Sequence, residues 1–353
     1  MTLQRKAYLV SMNGAGNAGG VERVVFYLHE VLTGLGWQVV ILDKERLNSY
    51  WLTKLLQKVF GRVYGSLYPI LASLYLKQYK KRIDIVVGNG YLTPFITADV
   101  CFCHGTLAGY TEHVRVNDKI GWGWRLICYL EKCSMRRAKK IISVSHNAAK
   151  ELQKYYRVKI DKITVLNNCV DGSRFFPIKR QYNCGKVNVI FCGRLETRKG
   201  LRKLQQLAEM IEGTEIHLHI ACNNPENSNN FSNLANTHID VSLNIDQLND
   251  FYNRGDIMYF PSMYEGFEMV TLEALSAGLL VLGNPVGAIG ELAEKNFYGV
   301  RLQNDDDILM QIRMLAAENK NYMTRKKLHE DINALLGIDV YKKKLAETFE
   351  VQA

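Results

Sequence analysis

Short runs of aliphatic and β-branched residues alternate along this chain with longer stretches whose apolar positions recur every three or four residues. That is the pattern of an α/β protein built on parallel strands. It predicts strands at 7–10, 38–42, 83–87, 99–103, 140–144 and 163–166. A second series follows at 187–192, 216–221, 239–243, 256–260 and 279–282. Helices are predicted at 21–35, 148–156 with Ser145 as cap, 201–210, 245–253, 270–277 and 305–315, and again from Tyr322 onward. Residues 222–236, rich in asparagine, read as a long surface loop, and 283–291 as a glycine-punctuated loop. Residues 177–186 form a linker between the two series.

Two strand-to-helix turns in the second series carry most of the candidate chemistry. Residues 193–200 read G-R-L-E-T-R-K-G, placing Arg194 and Lys199 on a glycine-bounded loop where a phosphate or pyrophosphate can lodge. Residues 261–278 read P-S-M-Y-E-G-F-E-M-V-T-L-E-A-L-S-A-G. Here Pro261 and Ser262 stop a strand, Gly266 marks a turn, and Gly278 ends a helix whose first-turn N–H groups suit an anion. Glu265 before that helix and Glu273 within it can reach one pocket and bind sugar hydroxyls.

The first series opens with a decoy. Gly14-x-Gly16-x-x-Gly19, with Asp43 further on, matches the dinucleotide fingerprint, but Ser11, Met12 and Asn13 separate it from the strand and the loop runs on to Gly20. A nicotinamide cofactor is therefore not expected. Cys101-Phe102-Cys103-His104 has no second ligand pair, so a metal site is not expected either.

The 261–278 segment resembles the signature of the retaining, nucleotide-sugar-dependent glycosyltransferases of family 4, bacterial cell-surface glycan synthases among them. Its two glutamates are separated by seven residues, as in that family. Three more segments match in order: Gly19, Gly20 and Glu22; Val144, Ser145 and Leu152; and Arg194 with Lys199. Asn168-Cys169-Val170-Asp171, followed by Arg174 and Phe175, is similar to the stretch that closes the family's first domain. The resemblance implies an α/β, GT-B fold, with two Rossmann-like domains facing across a cleft. It implies an acceptor domain over 1–176, a donor domain over 187–330, and a C-terminal helix at 331–353 crossing back to the first.

It also implies the site. Arg194 and Lys199 would neutralise the leaving diphosphate, Glu265 and His104 would contact the transferred sugar, and Glu273 would hold the ribose. Gly19 and Gly20 would pass close to the donor phosphates. Phe267, Met269 and Val270 would line the donor, and Leu243 and Asn244 would form a base edge. The donor is expected to be a UDP-sugar, used with retention and without a metal or other cofactor. The chain departs from the family pattern at Cys169 and Ala288, where glycine is usual, and at Glu268. A carboxylate there would repel a diphosphate unless it points away or binds a sugar hydroxyl.

Composition places limits on this. The 353 residues suffice for two domains, and the 47% hydrophobic and 23% charged content is ordinary for a globular protein. Eight cysteines without close C-x-x-C spacing suggest reduced, mostly buried thiols. No secretory leader and no apolar run of membrane-spanning length is visible, so a cytoplasmic location is expected. Charge is lopsided. Residues 1–172 hold 25 Lys and Arg against 12 Asp and Glu, and residues 173–353 hold 20 against 23.

Without a recognition-helix or zinc-finger motif, nucleic acid is not the expected partner. A glycan or lipid-linked glycan acceptor fits the basic half, as does an anionic membrane surface. Contact with such a surface would come through the amphipathic stretches at 50–82, broken near Gly65 or Pro69, and 120–140. Two alternatives stay open: a nucleotide-sugar 2-epimerase of the same fold, and a non-catalytic sugar-nucleotide-binding subunit.

Overall fold

The computed structural model describes residues 5–16, 19–60, 67–115, 120–179, 185–223 and 225–350. The chain forms two compact units, Met1–Asn167 with Tyr341–Ala353, and Asn168–Val340.

The first unit runs β1 (Lys6–Val10), α1 (Gly20–Gly34), β2 (Gln38–Leu42), α2 (Lys44–Ser49), α3 (Trp51–Phe60), α4 (Tyr68–Tyr79), β3 (Ile85–Asn89), β4 (Val100–Cys103), α5 (Leu107–Val114), α6 (Trp122–Arg137), β5 (Lys140–Ser143), α7 (His146–Tyr156) and β6 (Ile163–Val165). Its six strands form a parallel sheet in the order β2-β1-β3-β4-β5-β6. Tyr8, Val10, Val86, Cys101, Cys103 and Ile141 pack beneath helix residues Leu76, Met135 and Leu152. Each such aliphatic side chain contributes about 1.5–3 kcal/mol when fully buried.

The second unit runs β7 (Val187–Cys192), α8 (Leu201–Met210), β8 (Ile216–Cys222), β9 (Thr237–Val241), α9 (Ile245–Arg254), β10 (Ile257–Phe260), α10 (Met269–Ser276), β11 (Leu280–Gly283), α11 (Gly287–Glu294), β12 (Val300–Leu302), α12 (Ile308–Glu318) and α13 (Tyr322–Leu336). A last helix, α14 (Ile338–Glu350), carries the chain into the first unit. The second sheet is also parallel, in the order β12-β11-β10-β7-β8-β9. Counted from β7 this is the 3-2-1-4-5-6 arrangement, whose order reverses between β7 and β10.

Most predicted elements are found within a few residues, and the differences have local causes. The predicted strand at 83–87 begins at Ile85 because buried Asp84 accepts the amides of Lys6, at 3.0 Å, and Lys81, at 2.7 Å. The predicted strand at 239–243 is shifted to Thr237–Val241 and ends where Ser242 takes a φ of 59°. The expected break near Gly65 or Pro69 is present, with α3 and α4 as separate helices and Pro69 at the start of the second. Pro69 lies in the first turn of α4, where its missing N–H costs nothing, and Gly65 lies outside the described residues. The stretch at 222–236 contains 3-10 turns over Pro225–Phe231, with Phe231 buried. The predicted loop at 283–291 holds most of α11.

The seven described cysteines are free thiols, five of them buried, and Cys184 lies outside the described residues. Burial pushes the Cys101 thiol up to about 12. Cys169 does not occupy a left-handed backbone, so the side chain where family members have glycine is accommodated without strain.

Candidate functional site

The strongest constellation forms where the second sheet reverses order. β7 and β10 are hydrogen-bonded neighbours, so the turns leaving their carboxyl ends, 193–200 and 261–268, emerge side by side. Open parallel sheets bind ligands at such a switch point.

The basic turn is shaped by Gly200, whose φ of +83° starts α8 and lets the chain pass under Pro261. Met263 N donates to the Arg198 carbonyl at 2.7 Å, so the two turns are joined through backbone, and Ser262 Oγ lies 3.0 Å from the same oxygen. Side chains complete the junction. Lys199 Nζ lies 2.7 Å from Glu265 Oε1 and Arg198 Nη1 lies 3.2 Å from Glu265 Oε2. Ser262 Oγ donates to Glu265 Oε1 at 2.6 Å. The Lys199 ammonium also sits 4.9 Å from the centroid of the Phe260 ring. Glu196 accepts from Arg198 at 3.0 Å and from Arg194 at 3.2 Å. Arg194 remains 58% exposed, against 12% for Lys199 and 7% for Glu265. A buried Lys–Glu pair thus lies inside the turn, with an exposed guanidinium, paired with Glu196, at its mouth.

Glu268 resolves the concern that its carboxylate would face the donor. It is the N-cap of α10 yet caps a different helix: Oε2 accepts from Ala288 N at 2.8 Å and Oε1 from Ile289 N at 3.3 Å, at the start of α11. Thr271 Oγ1 donates to Oε1 at 2.8 Å. Gly287 is needed there, since its φ is +53° and a Cβ would lie 2.0 Å from Glu268 Oε2. Met269 and Val270 start a helix, α10, whose first-turn amides find no acceptor in the N-cap side chain. Phe267 is buried, and its carbonyl accepts from Asn168 Nδ2 at 2.7 Å.

Burial, and then the nearby Glu265 carboxylate, raises Glu268 to about 7. Glu131 in the first unit is likewise raised to about 7 by burial, although it accepts from Leu107 N at 2.7 Å and from the Tyr156 hydroxyl. Both folded values lie above the ordinary 4.5, so each group's contribution to stability is fully present below about pH 4.5 and is lost as pH rises through 7. Accordingly, the melting temperature of the unaltered protein should fall between pH 5 and pH 8 relative to Glu268→Gln and Glu131→Gln, measured by calorimetry in each buffer. A difference independent of pH would contradict the raised values.

Glu273 lies inside the second unit, 2% exposed, and accepts from the Tyr252 hydroxyl at 2.9 Å. Asn244 caps α9 in a capping box, with its amide given to Gln247 Oε1 at 3.0 Å and its carbonyl accepting from Gln247 N at 3.2 Å. A base edge at this point would therefore fall to the Leu243 backbone.

The remaining expected residues lie in the first unit. Gly19 and Gly20 cap and open α1, and Glu22 in its first turn accepts from Asn13 Nδ2 at 2.8 Å. His104 follows β4. Its Nε2 is 3.0 Å from Asn89 Oδ1, while Asn89 Nδ2 donates to Val10 O at 3.0 Å. That second bond orients the amide, so His104 carries its proton on Nε2 and presents Nδ1 as an acceptor. Burial lowers the imidazole to about 4, against a small opposing pull from Glu22, so the ring is neutral near pH 7.

Sequence reasoning missed Arg198, Ser262 and Glu196. Of these, Ser262 lay in view as the residue after the strand-stopping proline, three before Glu265.

Comparison with known proteins gives the family and the fold. Residues 18–174 match the model described as Glycosyltransferase Family 4, and residues 186–318 match that of Glycosyl transferases group 1. The chain is 22% identical to the phosphatidylinositol N-acetylglucosaminyltransferase gpi3 subunit of Schizosaccharomyces pombe, over 91% of this chain and 75% of that protein. Among solved structures it resembles sucrose-phosphate synthase from Thermosynechococcus elongatus, with a TM-score of 0.75, 15% identity and 98% of each chain covered. It also resembles Anabaena Alr3699/HepE in complex with UDP-glucose, with a TM-score of 0.69 and 14% identity over 98% of this chain and 99% of that one.

Proposed function

Because the chain belongs to the family 4 glycosyltransferases and has their GT-B fold, we propose that it transfers a hexose or N-acetylhexosamine from a UDP-sugar, with retention, to a glycan or lipid-linked glycan acceptor. The observation that carries this is the 2.7 Å contact between Lys199 and Glu265, which joins a cationic turn to a hydroxyl-binding carboxylate beside the uncapped start of α10. A sugar diphosphate needs those three elements together: cations for the diphosphate, helix amides for its oxygens, and a carboxylate for the sugar hydroxyls. The N-acetylglucosaminyltransferase name of one relative and the UDP-glucose bound by one structural neighbour favour a UDP-linked donor.

As the anomeric bond breaks, negative charge grows on the departing diphosphate. Lys199, buried against Glu265, and Arg194, exposed beside Glu196, meet it there. Cations placed in this way can serve without a divalent ion. In the first unit, the neutral ring of His104 presents an acceptor nitrogen of the kind a hydroxyl donor can use.

A thermal-shift screen of nucleotide sugars tests the proposal. UDP-sugars should raise the melting temperature of the unaltered protein, and Arg194→Ala combined with Lys199→Ala should remove the shift. An unaltered response in the double variant would overturn the phosphate assignment.

Helix α6 favours a membrane-facing role for the acceptor side. Trp122, Leu126 and Tyr129 are 81%, 43% and 62% exposed at helical spacing, beside exposed Arg125 and Arg136. Among the described residues no helix is long and apolar enough to cross a membrane. An interfacial helix with this composition lies on anionic lipid. Co-sedimentation with phosphatidylglycerol vesicles at low salt should drop severalfold in Trp122→Ala/Tyr129→Ala while UDP-sugar stabilisation is kept. Equal sedimentation of both proteins would dismiss the lipid contact.

A further inference from the structure

The first unit carries an aromatic concavity that the donor site does not use. It lies where β2 hands the chain to α2, α3 and α4, has a volume of about 740 Å³, and is lined by Asp43, Arg46, Tyr50, Trp51, Tyr75 and Tyr79, among others. The rings form one connected group, with centroids 4.6 Å apart for Tyr75 and Tyr79, 5.4 Å for Tyr50 and Tyr75, and 5.8 Å for Tyr50 and Trp51. Tyr50 is buried, while Trp51 is 56% exposed and Tyr79 44% exposed.

The two polar handles at the wall are held by one acceptor. Gln78 Oε1 takes the Tyr50 hydroxyl at 2.8 Å and the Trp51 indole N–H at 3.2 Å. That shared acceptor ties the buried Tyr50 to the exposed Trp51. The rim is charged. Asp43 Oδ1 accepts from Arg46 N at 2.8 Å, its Oδ2 lies against Gly14 of the glycine-rich loop, and the Arg46 guanidinium is on an exposed residue.

We propose that this concavity is a glycan subsite, holding a neutral pyranose unit of the acceptor, and it rests on the sugar-transfer function above. Aromatic faces carry a negative quadrupole and attract the partly positive C–H face of a sugar ring. Asp43 and Arg46 at the rim then bond the equatorial hydroxyls, the carboxylate as acceptor and the guanidinium as donor. An acyl chain would leave those two charges desolvated without partners. The location agrees with the role. Asp43 follows β2, at the carboxyl edge of the sheet where His104 and the glycine-rich loop also lie.

The test is saturation-transfer NMR on the full chain with neutral tetrasaccharides of gluco, galacto and manno configuration, alongside sedimentation with phosphatidylcholine vesicles. At least one tetrasaccharide should receive transfer, and Trp51→Ala or Tyr79→Ala should weaken its binding about fivefold or more, in line with ~1 kcal/mol per aromatic contact. UDP-sugar stabilisation should be unchanged in both variants, whose altered side chains are exposed. Transfer to none of the tetrasaccharides, or binding that survives both substitutions, overturns the subsite. So does a Trp51 requirement for vesicles in place of sugars. Missing UDP-sugar stabilisation in the unaltered protein instead overturns the donor function, so the two failures are told apart.

Discussion

Replacing Lys199 with alanine is expected to lower turnover of a UDP-sugar by ~10²–10³, the loss typical when one fixed stabiliser of a developing anion is removed. It should also weaken the fold. The ammonium is 12% exposed and paired with Glu265, itself 7% exposed, so its removal leaves a buried carboxylate with Arg198 as the remaining cation 3.2 Å away. Breaking a buried pair costs ~3–5 kcal/mol, and the retained Arg198 places this case toward the lower figure. Arg194→Ala provides the contrast. Arg194 is 58% exposed and contacts Glu196 at 3.2 Å, so stability should change by less than ~0.5 kcal/mol while turnover still falls. Steady-state kinetics with a UDP-sugar and calorimetry on the two variants separate the effects. Equal melting temperatures for both, or full turnover in Lys199→Ala, would remove Lys199 from its assigned role.

Gly200→Ala should be nearly as damaging by a different route. The residue has a φ of +83°, and a Cβ there would lie 2.3 Å from the Pro261 carbonyl oxygen, a backbone atom that cannot swing aside. The left-handed conformation alone costs ~1–2 kcal/mol with a side chain, and overpacking adds ~1–3 kcal/mol. Relief of the clash would push the basic and acidic turns apart and stretch the Met263–Arg198 backbone bond, now 2.7 Å. Lowered stability should therefore accompany loss of the UDP-sugar thermal shift. A normal shift in a merely destabilised variant would mean that the spacing of the turns does not govern donor binding.

The fold was largely legible because buried parallel strands are continuous apolar runs, and glycines or prolines bound most of them. What failed to register was short or polar. β12 offers three residues, Val300-Arg301-Leu302, too few to establish a pattern at the edge of a sheet. α11 begins after Gly283-Asn284-Pro285 and starts on a glycine, so its first turn reads as loop; the Glu268 carboxylate that caps it comes from a different part of the chain. That contact, 20 residues apart in sequence, sets the direction of the Glu268 side chain, which its own segment does not specify. Arg194, Lys199, Glu265 and Glu273 stand in recognisable segments. Arg198 stands at a position the family pattern leaves unspecified, and only the approach of the two turns reveals that it shares the Glu265 carboxylate.

The two-piece composition of the first unit has a consequence for the order of assembly at the ribosome. Tyr341, Leu345 and Phe349 are buried, Tyr341 sets its ring 6.0 Å from Tyr27, and Lys342 lies 3.1 Å from Glu30 of α1. The outer surface of α1 thus stays uncovered while the whole stretch 168–340 is synthesised and collapses around its own sheet. A region made earlier is finished last, and α1 is a surface through which a half-made chain is open to aggregation or to a chaperone's grip.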